Sequence, residues 1–362
     1  LIIGLLTLGL VIWGGYSLSQ LPIDAVPDIT NNQVQVITAS PSLAAQEVER
    51  LITFPIEINM ATIPEIEEIR SFSRFGLSVV TIVFKDDSDI YWARQQVNER
   101  LGQATREIPP GVGDPYMAPI STGLGEIYQY TLQPEEGYEG KYSPMELRTI
   151  QDWIVRRQLL GTPGVADVSS FGGYMKQYEI AIDPDKLKAM NTTISDLFQA
   201  LEKNNQNTGG AYIEKQPNAY FIRSSGLIND LKDIEKIVVR VNQNGIPVLV
   251  KDVAEVQLGH AVRYGAISRN GEGEVVGAVV MMLKDENGSQ VIENVKERIE
   301  QIKTSLPEGL SIEPFIDRTK LVDRAIATVS KNLVEGALIV IFILVLFLGN
   351  MRAGLLVASV IP

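Results

Sequence analysis

The hydrophobicity of this chain sits at its two ends. Leu1 to Leu18 contains no charged residue, and Ala337 to Leu348 is an unbroken apolar run. Ala353 to Ile361 is apolar again after the polar break Gly349-Asn350-Met351-Arg352. Crossing a bilayer takes about 20 apolar residues. The pattern predicts membrane helices at 1–19 and 330–349 and the start of a third at 353–362. A signal peptide is the competing reading of the first run, with Ser17 and Ser19 as small residues near a cleavage point. A buried core helix competes for 337–348, but a second apolar run so soon afterwards favours a helical hairpin in lipid. Arg352 in the tight break fits a cytoplasmic loop, which puts the roughly 300 residues between the ends outside the cytoplasm. Ends that fall inside apolar runs lead to the expectation of a piece of a larger polytopic membrane protein, cut within its first and third spans.

Composition narrows the middle. A net charge of −12 argues against nucleic acid, whose phosphates demand a basic face. With no cysteine there is no disulfide framework, thiolate metal cage or cysteine nucleophile, and His260 alone cannot build a multi-histidine site. No nucleophile–base pair or phosphate loop is evident, so the chain does not read as an enzyme and no cofactor is expected.

The middle contains a repeat. Ile63-Pro64-Glu65-Ile66-Glu67-Glu68-Ile69-Arg70-Ser71 aligns with Thr162-Pro163-Gly164-Val165-Ala166-Asp167-Val168-Ser169-Ser170 at an offset of 99 residues. Phe84-Lys85-Asp86-Asp87, Glu99-Arg100 and Pro109-Pro110-Gly111 match Leu283-Lys284-Asp285-Glu286, Glu297-Arg298 and Pro307-Glu308-Gly309 at 198 or 199. Unit one is then continuous, about Val34–Pro119. Unit two is split into about Glu126–Asp183 and Glu274–Asp317 around an insert, about Pro184–Gly273. Each half-unit reads β-α-β. Val34–Ala39 and Leu77–Phe84 are β-branched strands, with Arg74-Phe75-Gly76 as a turn. Val48, Leu51, Ile52 and Ile56 have helical spacing, which Pro55 should kink or divide. Ser88 is the expected cap of a helix with the stripe Ile90, Ala93, Val97, Leu101 and Ala104. Unit two has the stripes Leu147, Ile150, Ile154 and Ile292, Val295, Ile299, Ile302. The fold class is α+β: two β-α-β-β-α-β modules, each a helix-backed antiparallel sheet.

In the insert, Ser195–Leu201 starts a short helix and Asn204–Gly210 reads as a polar turn. Ala211–Glu214 and Ala219–Ile222 flank Gln216-Pro217-Asn218, so a projecting hairpin is expected, a contact arm rather than a catalytic element. Asn244-Gly245 marks a second hairpin.

Leu21-Pro22-Ile23-Asp24-Ala25-Val26-Pro27-Asp28-Ile29-Thr30 resembles the signature after the first membrane helix of heavy-metal efflux pumps of the RND superfamily, the CusA/CzcA type. Phe54-Pro55-Ile56-Glu57, Ile69-Arg70-Ser71, Gly123–Tyr130, Pro163–Val168, Phe171-Gly172-Gly173, Lys251–Val256 and Gly349–Ala353 are similar to that family in order and spacing, over the whole chain. The resemblance implies a homotrimer in the inner membrane of a Gram-negative cell. It implies export of metal cations by proton antiport, with a periplasmic adaptor and an outer-membrane channel as partners. Residues 30–120 would be a first porter subdomain, 121–183 and 274–318 the halves of a second, and 184–273 part of a docking subdomain. In that family the metal ligands come mainly from a second periplasmic loop and the proton relay from later spans, so no metal site is expected in residues 1–362. An exporter of organic compounds from the same superfamily, and a membrane-tethered periplasmic assembly module without transport, remain as alternatives.

Glu335 is the carboxylate within the second hydrophobic segment and a functional candidate on that ground, with a solvated or paired interfacial position as the plainer reading. The eight methionines invite a soft-metal reading, but scattered as they are most are expected in the core. Asp86-Asp87 with Asp89, and Asp183 with Asp185, read as turn or cap residues, and His260 as structural.

Overall fold

The computed structural model describes residues 2–19, 29–224, 226–242, 245–263, 265–271 and 273–348. Most of the Leu21–Thr30 motif, Asn244 and everything from Gly349 onward, including the expected third span, lie outside the described residues.

Ile2–Ser19 is helical. The first sheet follows, built from β1 (Gln33–Ala39), β2 (Ile66–Arg74), β3 (Leu77–Phe84) and β4 (Tyr116–Met117) in the order β2-β3-β1-β4. All its pairings are antiparallel. The alternation of β3 puts Val80, Ile82 and Phe84 against two helices, where they meet Val97, Leu101 and Ala104 of the helix Ile90–Glu107. That helix is capped by Asp89, not Ser88: the Asp89 carboxylate accepts from the Trp92 amide at 2.7 Å. Ser88 instead donates its hydroxyl to Glu65.

The second sheet begins with β5 (Glu126–Pro134) and β6 (Val165–Phe171). The chain then leaves through β7 (Lys176–Ile182), forms the hairpins β8 (Thr208–Lys215)–β9 (Asn218–Ser224) and β10 (Val238–Val241)–β11 (Pro247–Leu249), and returns through β12 (Ala254–His260). β13 (Val276–Met282) and β14 (Leu310–Asp317) complete the order β14-β5-β13-β6. Counted within each unit, both sheets run fourth-first-third-second. The left-handed position in the repeat coincides too: Glu65 has φ 64° and Gly164 has φ 82°.

The strand pairing moves the expected edges of the insert. β7 pairs along its whole length with β12, and Ile180, Ile182 and Val256 pack on Leu197, Ala200 and Ile234. The excursion therefore runs from Lys176 to His260, not from 184 to 273. An alternating strand reads the same whichever sheet it joins, so the sequence pattern could not assign β7. Thr208–Gly210, expected as part of a turn, already belongs to β8.

The helix containing Pro55 is divided, though not by proline alone. It runs Ala45–Val48, a π turn Glu49–Thr53, then Phe54–Met60. The matching helix of unit two has the same π turn at Gln151–Val155, with no proline in it. Both bury every fourth residue: Val48, Ile52, Ile56 and Met60 in one, Leu147, Gln151, Val155 and Leu159 in the other. At 3.6 residues per turn, each step of four overshoots the core by about 40°. The wider π turn takes up that drift. The same shift explains why Ile154 is only half-buried and Val155 takes the core position.

Thr319–Leu348 forms one continuous helix, starting well before the expected 330. Its first turns carry Lys320, Asp323 and Arg324, charges that do not interrupt a helix. Among the described residues, Thr319–Ile343 is the segment that meets the length and composition for crossing a membrane.

Candidate functional site

Glu335 lies on this last helix, with its carboxylate 3.8 Å from the Lys331 ammonium one turn earlier. Both side chains are exposed, and an i,i+4 pair of this kind is worth about 0.3–0.5 kcal/mol in water.

The other candidates separate cleanly. Asp183 caps a helix by accepting from the Asp185 and Lys186 amides, which together with nearby Lys186 hold its carboxyl below the usual range. Met60 and Met282 are core residues, Met117 packs against the first core, and Met175 and Met190 are exposed. The methionines are thus less uniformly buried than their spacing suggested. His260 is exposed, with its ring 4.8 Å from that of Tyr174. Among the described residues, no three His, Cys, Asp or Glu side chains converge as a metal site would require.

The structure concentrates charge where the insert joins unit two. Two adjoining grooves of about 610 and 660 Å³ share Arg148, Ser170 and Met175. In the first, Gly172 and Gly173 turn through φ 71° and 65°, so the chain can pass closely over the backbone of Val275 and Pro144. Arg148 donates to the Gly172 carbonyl and to Asp152, both at 2.8 Å. Arg263 grips Glu274 with two bonds of 3.0 and 2.6 Å while its guanidinium lies over the Tyr174 ring. Glu274 also accepts from the Gly173 amide. In the second groove Arg156 pairs with Asp167 at 3.0 Å and Arg157 stacks on Trp153 at 4.0 Å. Each of these arginines has a partner, and among the described residues of the grooves no nucleophile is poised beside a base. The two grooves lie at the root of the β7–β12 ribbon. Sequence reading singled out Phe171-Gly172-Gly173 as a motif but could not pair Arg263 with Glu274 across the loop.

The description of the AcrB/AcrD/AcrF family matches residues 1–362. The chain belongs to the AcrB/AcrD/AcrF family. Within it, the chain is 47% identical over 353 residues to the cation efflux system protein CzcA of Alcaligenes sp. (strain CT14), covering 96% of this chain and 33% of that protein. It is 48% identical to protein HelA of Legionella pneumophila, covering 99% and 34%. It is 39% identical to the cation efflux system protein CusA of Escherichia coli (strain K12), covering 98% and 33%. A crystal structure of a heavy metal efflux pump superposes with a TM-score of 0.88 at 36% identity, covering 99% of this chain and 35% of that one. The chain spans about a third of the length of the curated relatives it matches.

Proposed function

We propose that this chain is the first membrane-and-periplasm section of an inner-membrane RND pump that exports heavy-metal cations in exchange for protons. The observation that carries the proposal is the 47% identity, over 96% of the chain, to a protein named for cobalt, zinc and cadmium resistance. That name points to cobalt, zinc or cadmium as cargo. The two like-ordered sheets fit the role of porter subdomains, and the Lys176–His260 excursion fits a docking subdomain. In this reading the pump is a homotrimer in a Gram-negative inner membrane, working with a periplasmic adaptor and an outer-membrane channel, and the bilayer surrounds the helix Ile2–Ser19 and the apolar part of the last helix from about residue 330. Glu335 sits in the membrane segment as a paired carboxylate, and its replacement by Gln leaves export intact. Metal ligands and the proton relay are supplied by residues beyond this chain.

The test is a survival panel. The full-length protein and its adaptor are expressed in a strain stripped of its own metal pumps, and growth is scored on Cu, Ag, Zn, Co, Cd and Ni. Protection against Zn, Co and Cd supports the proposal, and protection against Cu and Ag alone moves the cargo to soft monovalent ions. No protection, from a protein shown to be trimeric and in the membrane, would sink metal export.

A further inference from the structure

The passage from unit two into the last helix has no slack. β14 ends at Asp317, Arg318 intervenes, and the helix Thr319–Leu348 begins. One Asp317 carboxylate oxygen accepts from the Thr319 amide at 3.0 Å, and the other accepts from the Lys296 ammonium at 2.8 Å. Lys296 stands on the helix Gly288–Lys303, whose neighbouring Val295 and Ile299 are in the core of unit two. The Asp317 side chain is 9% exposed and that of Lys296 34%, so the pair is shielded on the aspartate side.

Arg318 is strapped to β5 and to the turn before it. The Arg318 amide donates to the Ile127 carbonyl at 3.2 Å, and its guanidinium donates to the Leu124 carbonyl. Asp317 is in register with Tyr128. One turn into the helix, Val322 is buried. The start of the helix is therefore bound to two separate elements of unit two, Gly288–Lys303 and β5. At about 1.5 Å per residue its 30 residues make a rod of about 45 Å. A tilt of about 5° at one end moves the other by about 4 Å.

The ion pair is not a requirement of the β-α-β-β-α-β unit. At the repeat offset of 198, unit one has Asn98 and Pro119 in the places of Lys296 and Asp317, and it builds the same sheet order. What distinguishes unit two at this point is the long helix leaving it.

We infer that Lys296 and Asp317 are a positioning pair: they weld the helix Thr319–Leu348 to unit two, so that displacement of the helix in the membrane and displacement of the sheet are one motion. The role in transport rests on the reading of the chain as part of a proton-driven pump. The weld itself does not.

The experiment uses the full-length protein. This chain has no cysteine, so after removal of any elsewhere, spin labels at Lys303→Cys and Ser330→Cys report the angle between unit two and the helix. Wild type is expected to give one narrow distance and Lys296→Met a broadened one. In proteoliposomes with an imposed pH gradient, Lys296→Met lowers the maximal zinc flux about 10-fold and leaves the half-saturating zinc concentration within about 2-fold. Lys296→Arg, which keeps the pair, restores both readouts. Asp317→Asn, which keeps an oxygen for the Thr319 amide, behaves as Lys296→Met and serves if that variant fails to assemble. An unchanged distance in both pair-breaking variants overturns the weld. Wild-type flux in both, or Lys296→Arg as slow as Lys296→Met, overturns its role in transport. If the wild-type protein moves no metal, the transport reading fails and the distances alone decide the weld.

Discussion

Tyr130 and Gln151 are both fully buried, and the tyrosine hydroxyl donates to the glutamine carbonyl oxygen at 3.0 Å. Gln151 lies in the π turn of its helix and passes its amide N–H on to the Ser170 hydroxyl at 3.3 Å. Burial pushes the phenol of Tyr130 upward, so it remains a donor throughout the physiological range. Tyr130→Phe keeps the ring and strands the Gln151 carbonyl without a partner or water. A buried acceptor left unsatisfied costs about 1–3 kcal/mol. If the strand and helix open as one unit, their amides should exchange with deuterium roughly 5- to 150-fold faster. The assay is hydrogen exchange with mass spectrometry on the full-length protein, following peptides that cover 126–134 and 144–159. Gln151→Leu should behave alike, since it strands the hydroxyl. The double variant removes both partners together, while half-buried Ser170 can turn to water. Its cost should fall short of the sum of the singles by about 1 kcal/mol or more. Unchanged exchange in Tyr130→Phe, or strict additivity in the double variant, would mean that the buried Tyr130–Gln151 bond contributes nothing to stability.

Gly164→Ala should destabilise unit two by about 2 kcal/mol or more, because φ is +82° and the added Cβ would collide with Val291; exchange of β6 amides reads the loss. Burial opposes ionisation of Asp317, but Lys296 and Thr319 prevail and hold its carboxyl below the ordinary range. A carboxyl depressed by folding contributes its stability above the unfolded value, about 3.9, and loses it as pH falls through the folded one. The gap in thermal midpoint between wild type and Asp317→Asn should therefore hold from pH 7 to about 4 and close below that. Phe221, 82% exposed on the β8–β9 hairpin, should tolerate replacement by Asp with no change in melting, while association of the proposed trimer, measured by mass photometry with this hairpin as its contact arm, weakens about 10-fold or more.

Periodicity carried the helices that face a core. Ala93, Val97, Leu101 and Ala104, and Ile292, Val295, Ile299 and Ile302, are buried as their spacing requires. The β8–β9 hairpin was equally legible, because turn residues sit between two short apolar strands. Three features were not. The four-residue step that betrays each π turn is masked by extra apolar residues such as Leu51, which is half-buried. The allegiance of β7 depends on a partner more than 70 residues away, which no local pattern encodes. The charged grooves depend on Arg263 meeting Glu274 across a loop and on Arg148 reaching the Gly172 carbonyl. The start of the last helix at Thr319 was hidden because charge and helicity are independent: Lys320, Asp323 and Arg324 signal water without ending a helix. Glu335 was legible as a carboxylate in an apolar stretch, but its Lys331 partner follows only once the helix fixes the i,i+4 spacing.

The proposed proton-driven export of divalent metal is tested most directly by zinc flux through the purified full-length protein in liposomes with an indicator dye inside. With the pH gradient imposed, zinc should cross and collapse the gradient as it does so, and cobalt and cadmium should compete. Zinc movement at the same rate with no gradient, or a gradient that drives no movement of zinc, cobalt or cadmium, would rule out proton-driven export of these metals.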